Sequence, residues 1–302
     1  MQRYLVGDFI RELRMELGYS QEELCDGICS PGNLSKIENN TRRPELNKLE
    51  ALLQRLGRKE CFTVFADKKE MDISLLLRDL TSEIARCDVI GIENALKAME
   101  NICLPEDVLS TQYMEFAKTI LDELKGAKPD EILVRLVRTL GMTKKDFELG
   151  KELPKGLYTY NEIVIINAIA VKSYQLRQTE YAIGLLQDIK KYMDDKILDQ
   201  EEKAKKYPMI LLNLSGWLSN DRRYEEALSL CEEALWICTT YGKLHPMPEL
   251  LVTRGVILAN LSKRDKAAEC FRNALHLFSI LEREKECQKV RCRAEKDFGI
   301  VI

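Results

Sequence analysis

The chain has 302 residues, and its 46 Lys and Arg against 49 Asp and Glu give a net charge of −3, which excludes a protein that coats nucleic acid indiscriminately. With 8 prolines and 15 glycines, and apolar residues recurring at three-to-four spacing, the pattern predicts an all-α protein of one to three domains with no convincing strand. No apolar run approaches the roughly 20 residues that a membrane span needs, and no secretion or lipidation signal is read, so a cytoplasmic protein without a membrane partner is expected.

Val6, Ile10, Leu13 and Leu17 form one apolar stripe, predicting a first helix that stops at Gly18. Ser20 with Glu23 is a capping box, which starts a second helix with Leu24 and Ile28 on one face. Ser30 followed by Pro31 then reads as a fresh N-cap with proline at the first helical position. In that third helix Leu34 and Ile37 point inward, so Gly32, Asn33 and Lys36 fall on the outer face. An amide and an ammonium on the exposed side of a short helix suit major-groove reading, and the loop Asn39, Asn40, Thr41, Arg42, Arg43 suits a backbone phosphate. From Pro44 a further helix, with Leu46, Leu49, Leu53 and Leu56 inward, closes a small core before Gly57.

The stretch SQEELCDGICSPGNLSKIEN resembles a Cro/XRE-type helix-turn-helix, and GICS followed by LSKIEN resembles the turn of PlcR-like regulators, the RRNPP group of peptide-sensing transcription factors. The usual glycine of the turn is read as absent. The resemblance implies a DNA-binding domain over residues 1–66, and the DNA-binding residues expected are Gln21, Ser30, Asn33, Lys36, Asn39, Arg42 and Arg43. Residues 1–66 hold 10 basic and 10 acidic side chains, so affinity has to come from local placement and from two half-sites of a palindromic operator bound by a homodimer.

Residues 58–72 read as a connecting helix carrying Cys61, Phe62, Val64 and Phe65, where a ligand's effect on the DNA-binding domain is expected to be felt. Beyond it the pattern becomes helix pairs. Ala227, Cys231 and Ala234 recur 40 residues later as Ala267, Phe271 and Ala274, with Ala182, Leu186 and Ile189 as an upstream copy. Two weaker pairs precede them, 73–85 with 89–99 and 107–124 with 129–140. These resemble tetratricopeptide repeats, with Gly255 matching one of the family's small positions, and about five pairs over residues 67–302 would make a right-handed solenoid.

A groove that holds an extended peptide needs side chains offering donor and acceptor together, as asparagine does. Asn167 stands in the apolar run IVIINAIAV and Asn213 in MILLNLSGW, with Tyr174 two turns after Asn167. The peptide-sensing resemblance implies that Asn167 and Asn213 grip the backbone of a short signalling peptide, in a quorum-sensing role. The alternative is interhelical hydrogen bonding within the core. Arg254 would either meet a peptide carboxylate or pair with a glutamate.

A second functional reading is an interaction module whose repeats capture a response regulator or another protein, with DNA binding secondary. An enzyme is not expected. The histidines are His245 and His276, and no glycine-rich phosphate loop is present. The ten cysteines are scattered, several at core-like positions, and neither Cys25 with Cys29 nor Cys287 with Cys292 has zinc-site spacing, so no metal or other cofactor is expected.

Overall fold

The computed structural model describes residues 5–58, 68–103 and 106–302, and among these the secondary structure is fifteen helices without a strand. Four of them build the N-terminal bundle: α1 (Val6–Glu16), α2 (Gln21–Cys25), α3 (Pro31–Glu38) and α4 (Leu46–Arg55). Local chemistry sets the starts of α2 and α3. Ser20 Oγ accepts from Glu23 N at 3.0 Å while Ser20 N donates to Glu23 Oε2 at 2.8 Å, and Ser30 Oγ accepts from Asn33 N with Pro31 at the first position of α3. Gly18 and Gly57, at φ +72° and +69°, follow α1 and α4 in the left-handed conformation that closes a helix C-terminus.

Ile10, Leu13, Leu24, Ile28, Leu34, Ile37, Leu49, Leu52, Leu53 and Leu56 are buried together in this bundle, and Leu157, more than a hundred residues away in the chain, joins them. Two expectations about the turn need correction. Helix α2 ends at Cys25, so Ile28 reaches the core from beyond the helix rather than along its face. The turn also has its glycine: Gly27 sits at φ +68°, and a Cβ there would lie 2.2 Å from the Thr143 carbonyl oxygen. Left-handed backbone and lack of space both require glycine at this point.

The remaining helices follow as pairs: α5 (Lys68–Arg86) with α6 (Val89–Glu100), α7 (Val108–Leu124) with α8 (Pro129–Gly141), and α9 (Tyr160–Gln175) with α10 (Thr179–Asp195). Then come α11 (Gln200–Asn220) with α12 (Tyr224–Thr240), α13 (Met247–Asn260) with α14 (Arg264–Ile280), and a last helix, α15 (Glu284–Phe298). Five such pairs follow one another among the described residues. Residues 59–67, with Cys61, Phe62, Val64 and Phe65 of the expected connecting helix, lie outside the described residues, as does the 66/67 boundary.

The chain divides into two compact units, Met1–Ile189 with Asp195–Asp199, and Lys190–Asp194 with Gln200–Ile302. In the second unit the repeat register is explained by packing. Ala227, Cys231, Ala234, Ala267, Phe271 and Ala274 are all fully buried, and a Cβ on Gly255 would stand 2.7 Å from the Phe271 ring. Small residues admit the neighbouring helix, and the bulky residue between them fills the space it leaves.

One turn geometry recurs along the repeats. Arg177, Arg222, Ser262 and Glu282 all adopt positive φ, between 56° and 66°. In each case the next residue's N–H reaches the carbonyl five residues before it, as in Arg223 N to Leu218 O at 2.9 Å and Lys263 N to Leu258 O at 2.8 Å. These are Schellman closures made without glycine. A side chain in this conformation costs about 1–2 kcal/mol, which glycine relieves while losing part of the gain to its larger unfolded-chain entropy, so Arg222→Gly and Ser262→Gly should each stabilise the protein by roughly 0.5–1 kcal/mol. The expected reading is a higher urea midpoint at unchanged slope.

Candidate nucleic-acid interface

Helix α3 has two faces of opposite character. Leu34 and Ile37 are buried in the bundle, whereas Pro31, Gly32 and Lys36 are exposed and Asn33 is half-buried. The loop after it is exposed from Asn39 through Arg43, so Lys36, Arg42 and Arg43 form a local basic surface around the C-terminal half of α3. The acids Glu22 and Glu23 are exposed on α2, where hydrogen bonding to the backbone and hydroxyl of Ser20 keeps the Glu23 carboxyl below its ordinary range.

The expected DNA-binding residues differ in what already occupies them. Lys36 carries its ammonium outward. Ser30 caps α3, and Asn39 Nδ2 donates to the Ser35 carbonyl at 2.9 Å, so both have local structural duties as well as exposure. Arg42 Nη1 donates to Asn33 Oδ1 at 3.2 Å. Arg43 lies 3.7 Å from the Glu70 carboxylate and remains half exposed.

Gln21 belongs to a partly buried network. Its Nε2 donates to Glu38 Oε2 at 2.7 Å, and the same carboxylate takes Arg14 Nε at 2.6 Å and Nη2 at 3.0 Å, while Arg14 Nη1 donates to the Tyr19 carbonyl at 2.9 Å. Hydrogen bonding to Glu38 raises the Arg14 pKa further above its ordinary value. This network ties α1 and the start of α2 to the end of α3 and fixes the angle at which the outer face of α3 is presented.

A second network, not foreseen from the sequence, fixes the bundle against α9. Arg55, fully buried in α4, donates through Nη1 to the Leu24 carbonyl at 3.0 Å and the Asp26 carbonyl at 2.5 Å, and through Nη2 to both oxygens of buried Glu162 at 3.3–3.4 Å. Glu162 is in turn the third residue of a Thr159 capping box and accepts from Thr159 N at 2.6 Å. Nearby, Lys144 Nζ reaches Asp26 Oδ2 at 2.8 Å, and Asn47 Nδ2 donates to the Asp107 carboxylate at 2.6–2.7 Å. Only the T-x-x-E of Thr159 to Glu162 was readable in advance as a helix start. That an arginine set among leucines would meet it could not be read.

Asn167 and Tyr174 are half-buried on α9 in the first unit. Asn213, half-buried on α11, and Arg254, on α13, belong to the second, where Arg254 Nη2 pairs with Glu232 Oε1 at 3.2 Å. Lys206, two turns before Asn213 on α11, is half-buried without an ion pair or hydrogen bond among the described residues, and burial lowers its pKa. The sequence reading missed it because α11 is rich in lysines, two of which, Lys203 and Lys205, are paired with carboxylates. Burial pushes the thiols of Cys25 and Cys238 up to about 11, so they are inert core groups.

These features define a helix-turn-helix bundle joined to a tetratricopeptide-like helical array. Residues 10–62 match the helix-turn-helix family model. No curated protein matches the chain by sequence. Among solved structures, the fold is shared with PlcR of Bacillus thuringiensis in complex with the peptide PapR7 and DNA, at 19% identity and a TM-score of 0.60, over 94% of this chain and 98% of that one. The apo form of the competence regulator ComR from Streptococcus vestibularis has 18% identity and a TM-score of 0.50, with 97% of each chain covered. None of the described helices is long and apolar enough to cross a membrane.

Removing one partner of a buried pair leaves the other charge stranded, so Arg55→Ala or Glu162→Ala should each destabilise the protein by about 3–5 kcal/mol. The joint replacement Arg55→Met with Glu162→Leu should recover much of that loss. Urea denaturation of the singles and the double measures both effects.

Proposed function

We propose that the chain is a sequence-specific, DNA-binding transcription regulator that acts in the cytoplasm as a homodimer on a palindromic operator. In this reading residues 1–66 read DNA and residues 67–302 bind a short signalling peptide. The observation that carries it is the division of α3 into a sealed inner face, Leu34 and Ile37, and an outer face on which Lys36 is exposed and Asn33 is half-buried beside it. Lys36 and Asn33 meet base edges, while Arg43, Ser30 and Asn39 lie in segments suited to the phosphate backbone. The full-length likeness in fold to PlcR, a protein solved with both a peptide and DNA, supports joining the two activities in one chain.

For the peptide, the candidates are Asn167 and Tyr174 in the first unit and Asn213 in the second, each able to hydrogen-bond an extended backbone. Lys206 is a better candidate than Arg254 for a peptide carboxylate, because Arg254 already has Glu232. Helix α9 bears both Asn167 and Glu162, and Glu162 holds Arg55, which holds the carbonyls at the end of α2. A peptide that binds one arrangement of α9 better than another therefore biases the DNA-reading bundle by the same difference in free energy.

Mobility shifts on duplexes from the protein's own upstream region test the first half. Lys36→Ala and Asn33→Ala should each weaken specific binding by about tenfold or more with unchanged melting, since one good base contact is worth roughly 1–3 kcal/mol. Full affinity in both variants would remove α3 as the reading helix. For the second half, calorimetry with candidate peptides should show Asn167→Ala losing about tenfold in affinity, the value of one or two hydrogen bonds left unmade. Equal affinity for variant and parent would exclude that residue.

A further inference from the structure

Asn33 and Arg42 meet on the open side of α3 through a hydrogen bond from Arg42 Nη1 to Asn33 Oδ1 at 3.2 Å. Because a guanidinium has donors and no acceptor, chemistry settles the amide's orientation: its oxygen faces Arg42 and its Nδ2 faces elsewhere. Among the described residues, Nδ2 has no acceptor within the protein.

The backbone delivers Arg42 to this position. The Lys36 carbonyl accepts from Thr41 N at 2.9 Å, Thr41 Oγ1 at 3.0 Å and Arg42 N at 3.2 Å, folding the loop back over the end of α3. Asn40, at φ +55°, pins the same loop to α1, its Oδ1 accepting from Gly7 N and its Nδ2 donating to Asp8 Oδ1, each at 3.0 Å. Gly7 admits this approach because a Cβ there would stand 2.0 Å from the Ile37 carbonyl oxygen.

We propose that Arg42 takes part in base reading rather than making a phosphate contact alone, and that Asn33 and Arg42 together present a donor-rich edge to guanine. Adenine, read by a free asparagine, must give its N6 hydrogen to Oδ1 and accept from Nδ2. Here Arg42 takes one lone pair of Oδ1 and sets a positive group beside the other, which opposes adenine's donor. Guanine offers N7 and O6, both acceptors, which suit Nδ2 and the remaining N–H groups of the guanidinium. The inference rests on α3 being the helix that reads DNA.

The test is selection from a randomised duplex library with the full-length parent and with Asn33→Ala, Arg42→Lys and their double variant. The base pair read by Asn33 is the one whose preference disappears in Asn33→Ala. The parent should select guanine there. Arg42→Lys, which keeps the charge but lacks the fork, should lose about tenfold of that preference while the salt dependence of binding stays the same, and the double variant should discriminate no worse than Asn33→Ala. Adenine at that base pair, or an Arg42→Lys variant identical to the parent, would overturn the role given to Arg42. If Asn33→Ala alters no base preference, the DNA-reading assignment of α3 fails, and the inference falls with it.

Discussion

The guanidinium of Arg55 is the interaction on which the placement of the N-terminal bundle depends. It is fully buried and its ion-pair partner is 1% exposed, so both charges have lost their water. That loss is offset only because the planar fork meets three acceptor groups on two segments at once: the Leu24 and Asp26 carbonyls at the end of α2 and the carboxylate of Glu162. Lysine at this position could not span those acceptors. The Arg55 Nε has no acceptor among the described residues, so the geometry is a compromise that favours the two terminal nitrogens.

From this anchor the reading surface follows. Gly27 allows the turn to lie against the Thr143 backbone, and Asp26 meets Lys144 on one side while its carbonyl meets Arg55 on the other. The inner faces of α2 and α3 are consumed in holding the bundle together, through leucines and the Arg14, Gln21 and Glu38 network. What remains outward is small: one ammonium, one oriented amide and a basic loop. A surface that modest would bind DNA weakly alone, which is why the proposed function calls for two half-sites.

The repeats use another economy. Each helical pair reverses direction through one Schellman turn, and the alanine pairs at 40-residue spacing let successive helices approach. Arg177, Arg222, Ser262 and Glu282 tolerate the left-handed conformation because the two backbone hydrogen bonds of each turn satisfy carbonyls that the helix end would otherwise strand.

Periodicity and caps are local properties, and the sequence by itself determined them: the helix starts at Ser20 and Ser30, the stops at Gly18 and Gly57, the alanine register of the repeats and the outward side of α3. It misjudged the helix-turn-helix turn, because whether Gly27 must be glycine depends on how near Thr143 approaches, and that is set by a segment over a hundred residues away. Pairings between distant polar groups were likewise decided only by tertiary structure. Arg55 with Glu162, Arg254 with Glu232 and the absence of any such partner for Lys206 among the described residues all depend on which helix faces meet, and charge along a chain carries no record of that.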